Sequence, residues 1–150
     1  LLRRTLLDAG LSTYGAKDSY KRTRPFVAQK EGTCAPASEP ALRNDGSYPS
    51  GHAALGWAWG LLLAGIAPDR ADAVLQRAHA FGQSRVICGV HWQSDVDNGR
   101  VMGAAAVARL QSEASFQAQL ALARQEVAAA RARGATSPLN CAAEKAALAR

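Results

Sequence analysis

The run from Ala53 to Ala67 limits the fold more than any other part of the chain. It holds 15 residues dense in Leu, Ala and Trp, with glycines inside it and no charge. Such a run is too short to cross a bilayer comfortably and suits a helix buried in a core. Ser50 stands where an N-cap belongs and Pro68 where a helix must stop, so the spacing predicts a helix over 51–66. A helix apolar on every side must be covered by other elements. No stretch alternates with period two and no internal repeat is present, so the covering elements are also helices and the class is all-α. At 150 residues the chain is sized for one domain.

The remaining pattern supplies those elements. Residues 1–9 read as a helix ended by Gly10. Its Leu1-Leu2-Arg3-Arg4-Thr5-Leu6-Leu7 periodicity is already running at the first residue, so sequence is expected upstream, and with it an apolar surface here that upstream helices or another chain would cover. A short helix or turn follows over Ser12–Tyr20 and stops by Arg24, because a residue before proline avoids the α region. Residues 26–48, with Gly32, Pro36, Pro40, Asn44, Asp45 and Gly46, read as one long loop, a length that marks a functional or mobile segment. Beyond Pro68, Asp69 is expected to cap a helix reaching Val86, with Ala73, Leu75, Ala78 and Phe81 available for burial. After a break at Cys88–Gln93, Ser94 is expected to cap a helix to Gln111, with Asp95 and Asp97 in its acidic first turn. An amphipathic helix over 115–133 ends at Gly134, and 140–150 forms a last one.

Composition narrows the partners. A net charge of +6 suits anionic ligands, but the Lys and Arg residues are scattered rather than grouped, which disfavours nucleic acid. The three cysteines form no CxxC or Cys/His cluster, so no zinc site is expected.

Chemistry concentrates in three segments. At Pro49-Ser50-Gly51-His52 a helix begins, where free backbone N–H groups and the helix dipole favour an oxyanion and Gly51 lets it come close. His52 adds a group that exchanges protons near neutrality. Upstream lies Lys17, six residues ahead of Arg24-Pro25. Downstream lies Ser84-Arg85-Val-Ile-Cys-Gly-Val-His91-Trp-Gln-Ser-Asp95. Taken singly these residues are ordinary: Lys17 and Arg24 solvated surface charges, Arg85 a cation on a helix end, Ser50 a cap, Asp95 a first-turn acid. Together they supply what phosphoryl transfer requires. Lys17, Arg24 and Arg85 bring positive charge, two of them as planar forks, and Ser50 with the Gly51 amide adds donors. Asp95, four residues beyond His91, can take its Nδ1–H and leave Nε2 free to attack phosphorus. His52 is then the general acid and base. His79 lies outside this set and reads as structural, Trp57 and Trp59 as core or partly buried aromatics, and Asp97 as a helix-start residue.

The three segments resemble the signature of the type 2 phosphatidic acid phosphatase superfamily, K-x6-RP, PSGH and SR-x5-H-x3-D, with all eleven fixed positions filled in order. Their flanks, Tyr20-Lys-Arg-Thr-Arg-Pro-Phe26, Gly46-Ser-Tyr-Pro-Ser-Gly-His52 and Gly82 to Asp97, resemble the bacterial class A non-specific acid phosphatases, over roughly residues 1 to 125. Relatives of this kind carry further sequence before this region, so the resemblance implies one catalytic domain over 1–150 that lacks upstream helices. It implies a helical bundle of the phosphatidic acid phosphatase and vanadium haloperoxidase kind, with the site at converging helix ends. The activity implied is hydrolysis of varied phosphomonoesters at acidic pH with neither metal nor cofactor. In it His91 is the phosphohistidine nucleophile, Asp95 its orienting partner and His52 the proton donor, while Lys17, Arg24, Ser50, Gly51 and Arg85 hold phosphate. Partners would be phosphomonoesters, inorganic phosphate, and a second copy or the missing N-terminal part. An exported, periplasmic or secreted protein is implied, where disulfides persist; Cys34 and Cys88 are then expected to pair and Cys141 to remain free. The rivals are a vanadium-dependent haloperoxidase and an inactive phosphate-binding fragment, with a membrane lipid phosphatase disfavoured for want of spanning helices.

Overall fold

The computed structural model describes residues 1–149, which form helices, turns and connecting segments with no strand among them. The order is α1 (Leu2–Leu11), α2 (Tyr14–Tyr20), α3 (Pro25–Gln29), α4 (Glu39–Leu42), α5 (Gly51–Ile66), α6 (Ala71–Ile87), α7 (Gln93–Gln111), α8 (Ala114–Ala132) and α9 (Cys141–Leu148), with 3-10 turns at Pro36–Ser38 and Pro68–Arg70. The bundle is all-α, as the patterning requires.

The apolar helix α5 is its axis. Packed around it are α6, α7 and α1, with α8 touching α5 and α7, and α9 lying on α6. Ser50 caps α5, its Oγ accepting from the Ala53 N–H at 3.2 Å. At the other end Ala67 leaves the helical region (φ −129°, ψ 72°) before Pro68. The core joins Ala58 and Leu62 of α5 to Ala9, Val107, Phe116 and Leu120 from α1, α7 and α8. Trp57 and Trp59 are partly buried, and the indole N–H of Trp59 donates to the Leu2 carbonyl at 3.0 Å. On α1, Leu7 and Leu11 are exposed, 59% and 61% accessible.

Helices α5 and α7 approach closely because α7 presents glycine where they cross. A Cβ on Gly99 would stand 2.5 Å from the Ser50 carbonyl oxygen, and one on Gly103 2.3 Å from that of Ala54. Both obstacles are backbone, so relief requires the helices to move apart.

Several local expectations are corrected. Residues 26–48 are not one loop: α3, α4 and a 3-10 turn occupy much of them, each with proline in its first turn, where its missing N–H costs nothing. Asp69 does not cap α6; its carboxylate accepts from Arg131 of α8 at 2.9 Å, and α6 starts after the 3-10 turn without a side-chain cap. Ala73 is exposed, because the face of α6 turned inward runs through Val74, Leu75, Ala78, Phe81 and Gly82. Ser94 is not the cap of α7, which begins one residue earlier; the Trp92 N–H is taken by the Asp95 carboxylate at 2.8 Å, and Ser94 accepts from Arg22 instead. His79 is exposed on the outer side of α6. Helix α9 covers most of the expected last helix, and residue 150 lies outside the described residues.

Cys34 and Cys88 are joined by a disulfide, the expected pairing, and Cys141 is free and exposed. The bridge spans 54 positions of sequence, for which chain-entropy reasoning gives stabilisation on the order of 4 kcal/mol.

The α5–α7 contact is open to test by substitution. Gly103→Ala should lower unfolding free energy by about 1–3 kcal/mol, the usual range for overpacking. Gly15→Ala, on α2 with nothing within 4 Å of the added methyl, should be neutral or gain up to ~1 kcal/mol. Urea denaturation of both variants checks the difference; equal stabilities would refute tight backbone contact at Gly103.

Candidate active site

The α5–α7 contact sets two helix starts side by side. The Ser50 N–H donates to the Asp95 carbonyl at 2.9 Å, tying the beginning of α5 to the first turn of α7. His52 stands in the first turn of α5, and Asp95 in that of α7, with His91 in the break before it. The chain enters that break through Gly89 in the left-handed region (φ 73°), after which the Val90 and His91 N–H groups both reach the Arg85 carbonyl at 3.2 Å.

Beside these helix starts opens a cavity of about 310 Å³. Its walls include Lys17, Arg24, Gly51, His52, Arg85 and His91, contributed by α2, α5, α6 and the segments before α3 and α7. Six of the eight expected site residues therefore meet on one space. The other two lie behind its walls: Asp95 against His91, and Ser50, fully buried, with its hydroxyl engaged in capping α5.

The neighbours of His91 define its two nitrogens. Nδ1 faces Asp95 Oδ2 at 3.4 Å, and Nε2 faces Arg24 Nη1 at 3.2 Å. A guanidinium only donates and a carboxylate only accepts. The arrangement is satisfied by one form alone, the neutral ring with its proton on Nδ1 and its lone pair on Nε2. Burial, the largest cause, drives the His91 pKa down to about 4, outweighing the hydrogen bond it donates to Asp95, which pulls it up. Asp95 is wholly buried. Burial raises its carboxyl, but the hydrogen bonds from His91 and Trp92, with the charge of Arg22, prevail and hold it below its ordinary range.

Positive charge is crowded here. Arg24 is 2% exposed, and four carbonyls hold its guanidinium: Nε donates to Leu42 and Asp45, both at 3.0 Å, Nη1 to Val90 at 2.9 Å, and Nη2 to Gly46 at 3.4 Å. Lys17 donates to the same Gly46 carbonyl and lies 3.3 Å from the Asp45 carboxylate. Burial lowers the Lys17 pKa, Asp45 opposes this and Arg24 adds to it. Arg85 has a buried Nε with no partner among the described residues, a donor left for a ligand to satisfy. His52, open to the cavity, has its pKa lowered by partial desolvation and then by Arg85, Arg24 and Lys17. Three cations and two imidazoles make a receptor for an oxyanion. Among the described residues no group of three His, Cys, Asp or Glu side chains gathers to hold a metal ion.

A family model described as PAP2 superfamily matches residues 4–114. The chain belongs to the PAP2 superfamily. The match takes in every expected site residue, from Lys17 to Asp95. The chain is 49% identical to the non-specific acid phosphatase of Providencia stuartii over 129 residues, 85% of this chain and 52% of that protein. It is 53% identical over 116 residues to the non-specific acid phosphatase of Salmonella typhimurium, 77% of this chain and 46% of the relative. With the acid phosphatase of Zymomonas mobilis it shares 43% over 116 residues. The chain spans about half the length of the curated relatives it matches. No described helix of this PAP2 chain is long and apolar enough to cross a membrane.

Two polar residues of the site escaped the sequence reading. Arg22 Nη1 lies 2.7 Å from Asp95 Oδ1 and from Ser94 Oγ, with its guanidinium over the Trp92 ring at 5.6 Å. Asp45 pairs with both Lys17 and Arg24. Neither occupies a fixed signature position, and their partners are distant in sequence.

The state of His91 can be followed by NMR. Its ring should titrate with a midpoint near 4, far below the ordinary 6.5. Because the unfolded chain binds that proton near 6.5, stability should fall as pH drops from there toward 4. A His91 midpoint at 6 or above would contradict the buried, singly tautomeric ring.

Proposed function

We propose that this chain is the catalytic domain of an acid phosphatase that hydrolyses phosphomonoesters of varied alcohols without a metal, through a phosphohistidine. The observation that carries the reading is the double assignment of His91, with Nδ1 on the buried Asp95 and the Nε2 lone pair turned toward the cationic cavity. The names of the relatives support the same reaction class.

The phosphoryl group enters with its oxygens among Lys17, Arg24, Arg85 and the amide end of α5 at Gly51, with Ser50 fixing that end. The Arg24 N–H that now faces Nε2 turns to a phosphate oxygen and frees the lone pair. Nε2 attacks phosphorus in line and forms the N–P bond as the ester P–O bond breaks. His52 gives its proton to the departing oxygen, and the alcohol leaves. Asp95 steadies the imidazole as it becomes cationic. Water then attacks phosphorus, losing its proton to His52; the N–P bond breaks, and His91 and inorganic phosphate are restored.

Two lowered histidines suit this work in acid. His91 must be neutral, which holds above about pH 4. His52 must carry a proton, which its lowered pKa allows only below its ordinary value of 6.5. The free-enzyme profile of kcat/KM is therefore a bell on the acid side of neutrality. A periplasmic or secreted setting agrees with the disulfide.

The direct test is a chromogenic phosphomonoester, with and without chelator, across pH. Turnover with an acid optimum that survives chelator supports the proposal. Phosphate binding without turnover would indicate a binding fragment, and halide oxidation with vanadate and peroxide a haloperoxidase. His91→Ala should abolish turnover, and rapid quenching should recover acid-sensitive label on His91; label elsewhere defeats the assignment.

The role of His52 depends on the leaving group. An alkyl alkoxide needs a proton to depart and a nitrophenolate needs it little. His52→Ala should therefore slow the single-turnover burst from an alkyl phosphate far more than that from nitrophenyl phosphate. Equal losses would make His52 a phosphate-binding or structural residue.

A further inference from the structure

Asp45 sits in the wall of the cavity with no part in the chemistry above. A single oxygen, Oδ2, lies 2.6 Å from Arg24 Nη2 and 3.3 Å from Lys17 Nζ. It therefore stands between the two most buried cations of the cavity, where an oxygen of a bound phosphate would gain most. The carboxylate itself is 47% exposed, while Lys17 and Arg24 are 8% and 2% exposed.

The cations do not need this carboxylate to stay in place. Arg24 is held by the carbonyls of Leu42, Asp45, Val90 and Gly46, and Lys17 by that of Gly46. The Asp45 backbone is likewise anchored, its carbonyl accepting from Arg24 Nε at 3.0 Å. Only the side chain is free to swing out toward water. What it adds is a negative charge that an incoming anion must displace.

We infer that Asp45 is a built-in competitor of phosphate, pairing with Lys17 and Arg24 where a phosphate oxygen would otherwise bind and limiting how tightly inorganic phosphate is retained. The inference rests on the cavity being a phosphate site, as proposed above. Asp45 is then a specificity-setting residue rather than a catalytic one: it weakens the hold on product and favours its exit.

Isothermal calorimetry with inorganic phosphate tests this on the whole chain. Asp45→Asn and Asp45→Ala should each tighten Kd, by roughly three- to tenfold given the half-exposed position of the charge. Asp72→Asn, the same charge change at an exposed position on α6, should leave Kd unchanged. A gain in affinity is a change that loss of a merely structural contact would not produce. Unchanged or weaker binding in either folded Asp45 variant, with the original protein binding phosphate normally, overturns the inference and leaves the phosphatase reading standing. No phosphate binding by the original protein would overturn both.

Discussion

One backbone hydrogen bond, from Ser50 N–H to the Asp95 carbonyl, joins the two helix starts on which the site depends. Its net worth is about 1 kcal/mol, but it also fixes the first turns of α5 and α7 against each other. Gly99 and Gly103 make it attainable by letting the helices touch backbone to backbone. Everything chemical follows from that closeness: the amide end of α5 opens on the same cavity as His91, and Asp95 reaches His91 from behind. A looser α5–α7 pair would still bury its apolar residues while separating the groups that have to work together.

The second organising device is the use of peptide carbonyls to keep cations inside the protein. Burying a guanidinium or an ammonium is costly unless its donors are satisfied. Arg24 is satisfied mainly by neutral dipoles, Lys17 by one carbonyl beside the half-exposed Asp45 carboxylate, and among the described residues Arg85 keeps one buried donor unsatisfied. Carbonyls fill hydrogen-bonding capacity without cancelling net charge, so the cavity stays positive. That residual potential, added to desolvation, lowers both histidines.

Much of this was legible in the chain alone. The uncharged run after Ser50 specified the central helix to the residue at its start, because cap, apolar stretch and proline stop are local signals. The eleven signature positions brought out the cavity residues because their spacing reflects the starts of α3, α5 and α7 and the end of α6. Elsewhere competition between local and distant partners decided the outcome. Asp69 looked like a cap but is taken by Arg131 of α8, and Ser94 lost its place to the longer reach of Asp95. The segment 26–48 carried enough Pro and Gly to look structureless, yet proline also starts short helices, and composition does not separate the two uses. Arg22 and Asp45 were invisible because what defines them is a contact across 73 and across 21 or 28 positions.

The Cys34–Cys88 bridge has a topological consequence for the site. It closes a covalent ring that contains Asp45, the whole of α5 with Ser50 and His52, and α6 with Arg85. Lys17 and Arg24 lie on the chain entering that ring, and His91 and Asp95 on the chain leaving it. The exposed stretch around residues 35–45 is the part of the ring most open to proteases. A cut there would leave a two-piece molecule in which the pieces remain bonded through sulfur, with every cavity residue still attached. The protein can thus be nicked beside its own site without losing any component of it: the bridge holds by covalent bond what the broken backbone no longer joins.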